Sequence, residues 1–323
     1  MNLADIYYHL KDDIAIIEEE LERSIQSQEK TLNEAYVHTL KAGGKRIRPV
    51  FVLLGGMFGD YDIHSLKNIA VPLELIHMGS LVHDDVIDDA EIRRGKSTIK
   101  SKWDNLVAMY TGDYIFAKAI EISSYFNNPE VHRILSYAMV EMCIGEVEQI
   151  RDQYSLNQNL RTYLRRIKRK TALLIAISCQ LGAVCAKAPK NVQKMLFRFG
   201  YYVGMSFQIT DDILDFVATE EELGKPAGSD LLQGNITLPA LYTIATNEEA
   251  RRTIKEMFAS PFITEEEMRP ILEMVKNSGG IEFSTSVSDK YLQKAYKQLE
   301  MLPDNPAKYY LQKIAEYIGK RKY

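Results

Sequence analysis

His83-Asp84-Asp85-Val86-Ile87-Asp88-Asp89 sets four aspartates within seven residues. On an α-helix Asp84 and Asp88 stand four apart on one face, and Asp85 lies about 100° round from Asp84. Like charges at that spacing destabilise a helix by roughly 0.2–0.5 kcal/mol per pair, a cost that a bound cation removes. The spacing returns at Asp211-Asp212-Ile213-Leu214-Asp215, among the apolar Phe207, Ile209 and Phe216. One such cluster reads equally well as a solvated face. Two with the same spacing inside apolar helices point to metal chemistry.

Around the first cluster, Val71 to Asp89 places Leu73, Ile76, Leu81 and Val82 at mostly helical steps, which predicts one helix with Pro72 in its first turn. Turn signals are far apart: Gly59-Asp60, Asn127-Asn128-Pro129, Asn157-Gln158-Asn159, Ala188-Pro189 and Asn277-Ser278-Gly279-Gly280. The segments between them are long and helically periodic, and no run of alternating strands or solenoid-like repeat interrupts them. The expected fold class is all-α, with residues 1–323 forming a single helical domain.

Composition narrows the function. With 40 basic and 44 acidic side chains and a formal charge of −4, the chain lacks the bulk positive charge of a nucleic-acid binder. Cys143, Cys179 and Cys185 have no CxxC spacing and read as reduced thiols of a cytoplasmic protein. The first residues lack the basic-then-apolar order of a signal peptide. The most apolar run, Ala172 to Ala186, falls short of the roughly 20 residues of a transmembrane segment, so none is expected.

Carboxylates without a histidine or cysteine ligand set suit a hard cation, and Mg²⁺ in particular bridges one or two carboxylates to phosphate oxygens. The predicted site is therefore Mg²⁺ with a diphosphate, and neither cluster has EF-hand spacing. His77, seven before Asp84, falls on the same stripe, and Gln208 adds an amide to the face of Asp211 and Asp212. Cations complete a diphosphate site. Leu40 to Pro49 reads as a helix ended by Gly43-Gly44, a basic turn with Lys45, Arg46 and Arg48, and a helix opened by Pro49. Arg93-Arg94-Gly95-Lys96 follows the first cluster, and Lys170-Thr171 closes the basic run Arg161 to Lys170, whose other members read as a solvated helix face.

These motifs, in this order, closely resemble those of the trans-isoprenyl diphosphate synthases over nearly the whole chain. The landmarks are Gly43 to Pro49, Glu74-Leu75-Ile76-His77 leading to Asp84-Asp85-Val86-Ile87-Asp88, Arg93-Arg94-Gly95, Lys170-Thr171, Phe207 to Asp215 and Gly224-Lys225. The resemblance implies a bundle of long antiparallel helices around a deep central cavity, with the two Asp-rich helices facing each other across its mouth. It implies that Asp84, Asp85, Asp88, Asp211, Asp212 and Asp215 serve catalysis, with Asp84, Asp88, Asp211 and Asp215 as Mg²⁺ ligands. Arg93, Lys170, Thr171, Gln208 and Lys225 would contact the allylic diphosphate, and Lys45, Arg48, His77 and Arg94 isopentenyl diphosphate.

Two positions refine that expectation. In the family the residue five before the first Asp walls the product tunnel; here Gly79, beside Ser80, leaves it open to long products, although a glycine kept for close helix packing would look the same. Where many homomeric relatives carry a lysine, this chain has Asn235. That loop resembles the large catalytic subunit of the two-component heptaprenyl diphosphate synthases, which implies farnesyl diphosphate as primer, a small dissimilar partner subunit, and a product for menaquinone side chains. The alternative is a homomeric synthase of hexa- to decaprenyl products. An HD-type phosphohydrolase could claim His83-Asp84 but leaves the second triad unexplained.

Overall fold

The helix bearing the first acidic cluster starts earlier than its apolar pattern suggests. In the computed structural model, which describes residues 3–24, 26–219, 226–260 and 264–320, this helix runs Ile63–Ile87. Asp62 caps it, accepting from the backbone N–H groups of His64 and Ser65 at 3.2 and 3.1 Å. Pro72 therefore lies inside the helix and not in its first turn. A proline there removes one helical hydrogen bond, at a cost of about 3 kcal/mol. Unbroken burial from Ile69 to Ile76 offsets that cost.

In chain order the described helices are α1 (Leu3–His9), α2 (Lys11–Ser24), α3 (Lys30–Lys41), α4 (Ile47–Gly56), α5 (Ile63–Ile87), α6 (Ile99–Lys102), α7 (Asn105–Ser124), α8 (Pro129–Asp152), α9 (Leu160–Ile167), α10 (Leu173–Cys185) and α11 (Lys190–Val217). They continue as α12 (Ser229–Leu232), α13 (Leu238–Thr246), α14 (Glu248–Ala259), α15 (Glu265–Asn277), α16 (Gly280–Glu300) and α17 (Pro306–Lys320). A π-helical turn, Lys168–Ala172, joins α9 to α10. The fold is all-α as the periodicity predicts. The one pairing of strands among the described residues joins β1 (Ile92–Arg93) to β2 (Lys96–Ser97), antiparallel, with Arg93 opposite Lys96. Arg94 and Gly95 turn it with φ of 52° and 74°, the two left-handed positions of a tight hairpin.

The chain forms two compact units. The first comprises residues 1–139, 174–198 and 301–313. In it α5 packs on α7, α4 and α2. Here α4 and α10 touch backbone to backbone, since a Cβ on Gly182 would stand 2.0 Å from the Val52 carbonyl oxygen and one on Gly55 2.3 Å from that of Cys179. The apolar run Ala172 to Ala186 is thus a core helix, and no helix among the described residues is long and apolar enough to cross a membrane.

The second unit comprises residues 140–173, 199–300 and 314–323. Its core gathers Tyr163, Met205, Ile209, Phe216, Leu238 and Val275, among others. In it the basic run Arg161 to Lys170 is not the solvated face its composition suggests. Arg161 and Arg165 are exposed, but Arg166 is buried and donates to Gln158 Oε1 at 2.8 Å and to the Ile236 carbonyl at 2.5 Å. Arg169 is paired with Glu141 at 3.0 Å and Glu148 at 2.5 Å. An amphipathic pattern sorts apolar from polar faces but does not reveal partners that arrive from elsewhere in the chain.

Candidate functional site

In the first unit the acidic cluster ends α5. Asp84 and Asp85 are only 8% and 6% exposed. Asp88 is the residue that caps the helix C-terminus, its N–H bonded to the Asp84 carbonyl at 2.8 Å. The chain then turns through Asp89 at φ 52° and Lys100 pairs with Asp89, which leads it into the β1–β2 hairpin. The hairpin returns Arg93 to the cluster, where its Nε donates to Asp85 Oδ1 at 2.6 Å. Burial pushes the Asp85 carboxyl above its usual range, with Asp84 and Asp88 adding to the push and Arg93 opposing it. Carboxylates one turn apart on one helix, two of them buried and all of them oxygen donors, fit a hard divalent cation that would relieve that repulsion. Among the described residues no three histidine, cysteine or acidic side chains are already grouped to hold a metal ion by themselves.

Beside this cluster lies a small cavity lined by Arg46, Glu74, His77, Asp85, Arg93 and Arg94, among others. Gly43, at φ 79°, ends the approach from α3, and Arg46 takes a left-handed φ of 46° before α4. Arg46 is buried and reaches Glu74 at 3.3 Å and Glu18 at 3.5 Å. Arg94 donates to the Gly43 carbonyl, and Tyr7 donates to that of Lys45, so two side chains pin the glycine turn. Burial draws Arg48 down to about 10 against the opposing pull of Glu74, and its Nε is buried without a hydrogen-bond partner. His77 is held well below its ordinary range by desolvation first, then by Arg48, Arg94, Arg93 and Arg46. A neutral imidazole among arginines, with an unsatisfied guanidinium N–H, suits an oxyanion. Arg46 stood in the expected basic turn and Glu74 in a landmark motif, but the sequence assigned neither a role in the site. Glu74 stands three before His77 on the same helical stripe, a signal available in the sequence; Arg46 shows its role only in the fold.

In the second unit the acidic cluster lies on α11. Asp211 is half-buried, while Asp212 and Asp215 are 3% and 1% exposed. Asp212 Oδ2 accepts from the Tyr163 hydroxyl at 2.6 Å and Oδ1 from Gln208 Nε2 at 2.8 Å. Burial raises Asp212 to about 7, helped by Asp230 and opposed by both hydrogen bonds. Asp215 accepts from Ser229 Oγ at 3.0 Å and from the Asp230 N–H at 3.3 Å, which ties the start of α12 to this helix. The π-helical turn presents Lys170 and Thr171: Lys170 Nζ meets Gln149 at 3.2 Å and Glu146 at 3.5 Å, and Thr171 Oγ1 donates to Gln208 Oε1 at 2.6 Å. π-Helical turns inside helices recur at functional sites.

The remaining expected positions are placed as follows. Gly79 packs on α7, where a Cβ would meet the Gly112 carbonyl oxygen and Phe116 at 3.3 Å. The Ser80 hydroxyl is turned back onto the His77 carbonyl at 2.8 Å. Asn235 Oδ1 is buried without a hydrogen-bond partner. Lys225 lies outside the described residues.

Comparison with known proteins gives four findings. Residues 29–275 match the model of the polyprenyl synthetase family. The chain is 60% identical over 317 residues to heptaprenyl diphosphate synthase component 2 of Bacillus subtilis, covering 98% of this chain and 90% of that one. Among solved structures, heptaprenyl diphosphate synthase from Staphylococcus aureus superposes with a TM-score of 0.91 at 41% identity, over 96% and 98% of the two chains. Polyprenyl synthase from Caulobacter crescentus, complexed with calcium and isoprenyl diphosphate, superposes with a TM-score of 0.94 at 29% identity, over 99% and 98%.

Proposed function

Because the chain belongs to the polyprenyl synthetase family, we propose that it is a Mg²⁺-dependent trans-prenyltransferase that extends farnesyl diphosphate with isopentenyl diphosphate to heptaprenyl diphosphate. It acts in the cytoplasm, as the catalytic subunit beside a small dissimilar partner, and its product serves menaquinone side chains. The observation that carries this reading is the 60% identity to a protein named component 2 of such a synthase, over 98% of the chain. Residues 1–323 act as one catalytic domain.

The residues take these roles. Asp84, Asp85 and Asp88 in one unit and Asp211, Asp212 and Asp215 in the other serve the metal sites, with Asp84, Asp88, Asp211 and Asp215 as direct ligands. Mg²⁺ supplies Lewis-acid stabilisation of the negative charge that builds on the departing diphosphate. Arg93, Lys170, Thr171, Gln208 and Lys225 hold the oxygens of the allylic diphosphate, so charge that develops as the C–O bond breaks meets fixed donors. Lys45, Arg48 and Arg94 bind the diphosphate of isopentenyl diphosphate, and His77, neutral and surrounded by arginines, adds a hydrogen bond. The isopentenyl double bond attacks the allylic carbon, and the proton then lost goes to the released diphosphate. Gly79 and Ser80 leave the growing chain room to pass.

The test is incubation of the purified chain with Mg²⁺, farnesyl diphosphate and labelled isopentenyl diphosphate, alone and with lysate of its source, with lysate alone as the blank. Products of heptaprenyl length that need both chain and lysate are expected, and Asp84→Ala or Asp211→Ala should abolish them while leaving helical circular dichroism near wild type. Long products from the chain alone would establish the homomeric alternative, and unfolding of the variants would make the aspartates structural.

A further inference from the structure

Both carboxylate oxygens of Asp212 accept from uncharged side chains of the protein. The Tyr163 hydroxyl takes Oδ2 at 2.6 Å and the Gln208 amide takes Oδ1 at 2.8 Å. Tyr163 is fully buried, on α9, 49 residues from Asp212 in sequence. An amide has one donating and one accepting end, and Asp212 in its ionised form only accepts, so that form fixes which way Gln208 points. Its carbonyl is thereby turned to Thr171, whose hydroxyl donates to it at 2.6 Å. Tyr163, Asp212, Gln208 and Thr171 thus form one polar chain in which each bond sets the direction of the next.

We propose that Tyr163 is a positioning residue for the allylic diphosphate, acting through Asp212 to hold Gln208 and Thr171 in their binding orientation. This rests on the reading of Gln208 and Thr171 as diphosphate contacts. Tyr163 gives its hydroxyl to Asp212. It thereby removes the freedom of the side chains read as diphosphate contacts, so ordering them need not be repeated each time substrate binds. A phenol suits the task because its rigid ring is locked by the surrounding core while its hydroxyl reaches the carboxylate.

The experiment compares Tyr163→Phe, Asp212→Asn, the double variant and Gln208→Ala by initial rates with the partner subunit present, together with thermal midpoints. Tyr163→Phe should raise the KM for farnesyl diphosphate about threefold to tenfold, the scale of one or two side chains freed. The KM for isopentenyl diphosphate should stay within twofold of wild type. The double variant should be no worse than the poorer single one, because both break the same chain. A lowered midpoint with both KM values unchanged in Tyr163→Phe, while Gln208→Ala still raises the farnesyl KM, would make Tyr163 merely structural and overturn the proposal. An unchanged farnesyl KM in Gln208→Ala would overturn the reading of Gln208 itself, and the proposal with it. If Tyr163→Phe fails to fold, Tyr163→Met, which also lacks the hydroxyl, decides: a selective rise in the farnesyl KM supports the relay and no selective rise overturns it.

Discussion

His77 carries the most consequential protonation state of any single side chain here. Arg46, Arg48, Arg93 and Arg94 all disfavour a second positive charge beside them, and desolvation disfavours it more. In the unfolded chain the imidazole takes a proton as pH falls through about 6.5, whereas in the folded chain it does not. The unfolded state then binds more protons, so folding stability contributed by this group is complete above about pH 6.5 and is lost as pH falls below it. The free energy of unfolding, followed by urea denaturation, should therefore fall more steeply from pH 7 to pH 5 in the wild type than in His77→Gln. Equal slopes would place a proton on His77 in the folded state. At this scale legibility depended on sequence distance. Asp84, Asp85 and Asp88 announce themselves because the pattern they make lies within about one turn of sequence. Tyr163 and Arg166 do not, because Asp212 and the Ile236 carbonyl reach them only once the chain has folded back.

At the scale of elements, α4 and α10 meet backbone to backbone, and the contact tolerates no side chain. Gly182→Ala would drive a Cβ into the backbone of α4 at Val52. Backbone cannot turn aside as a flexible side chain can, so the variant should lose at least the 1–3 kcal/mol typical of overpacking, read as a lower denaturation midpoint. Gly79 meets α7 less tightly. Gly79→Tyr should shorten the longest product and lower stability by about 1–3 kcal/mol as the ring displaces Phe116, and unchanged product length would reject its part in the tunnel. The long helices were legible because burial imposes a 3.6-residue period on them. The start of α5 was not, because Pro72 looked like an opening residue while the true cap, Asp62, stood ten residues before it. Nor was the hairpin, whose strands of two residues are too short to show a period and whose turn uses Arg94 where asparagine or aspartate is the usual signal.

At the scale of the whole molecule, the two units are interleaved along the chain, each assembled from three separated pieces. The boundary between their last pieces falls after residue 313, inside α17. A variant ending at residue 305 would thus deprive both units of a helical segment, one losing Ala307 and Leu311 from its core and the other Ile314, Ala315 and Ile318. Such a truncation should abolish cooperative thermal unfolding altogether; one unit melting at its normal temperature would show that it is self-sufficient. Interleaving also governs the order of assembly during synthesis. The usual course, in which the domain nearer the N-terminus folds while the next is still being translated, is closed to this chain. The first unit begins with the first residues and lacks its final piece until residue 313 has left the ribosome. At the ordinary elongation rate of about 5–20 residues per second, its opening helices wait many seconds for the pieces at 174–198 and 301–313 that complete their unit.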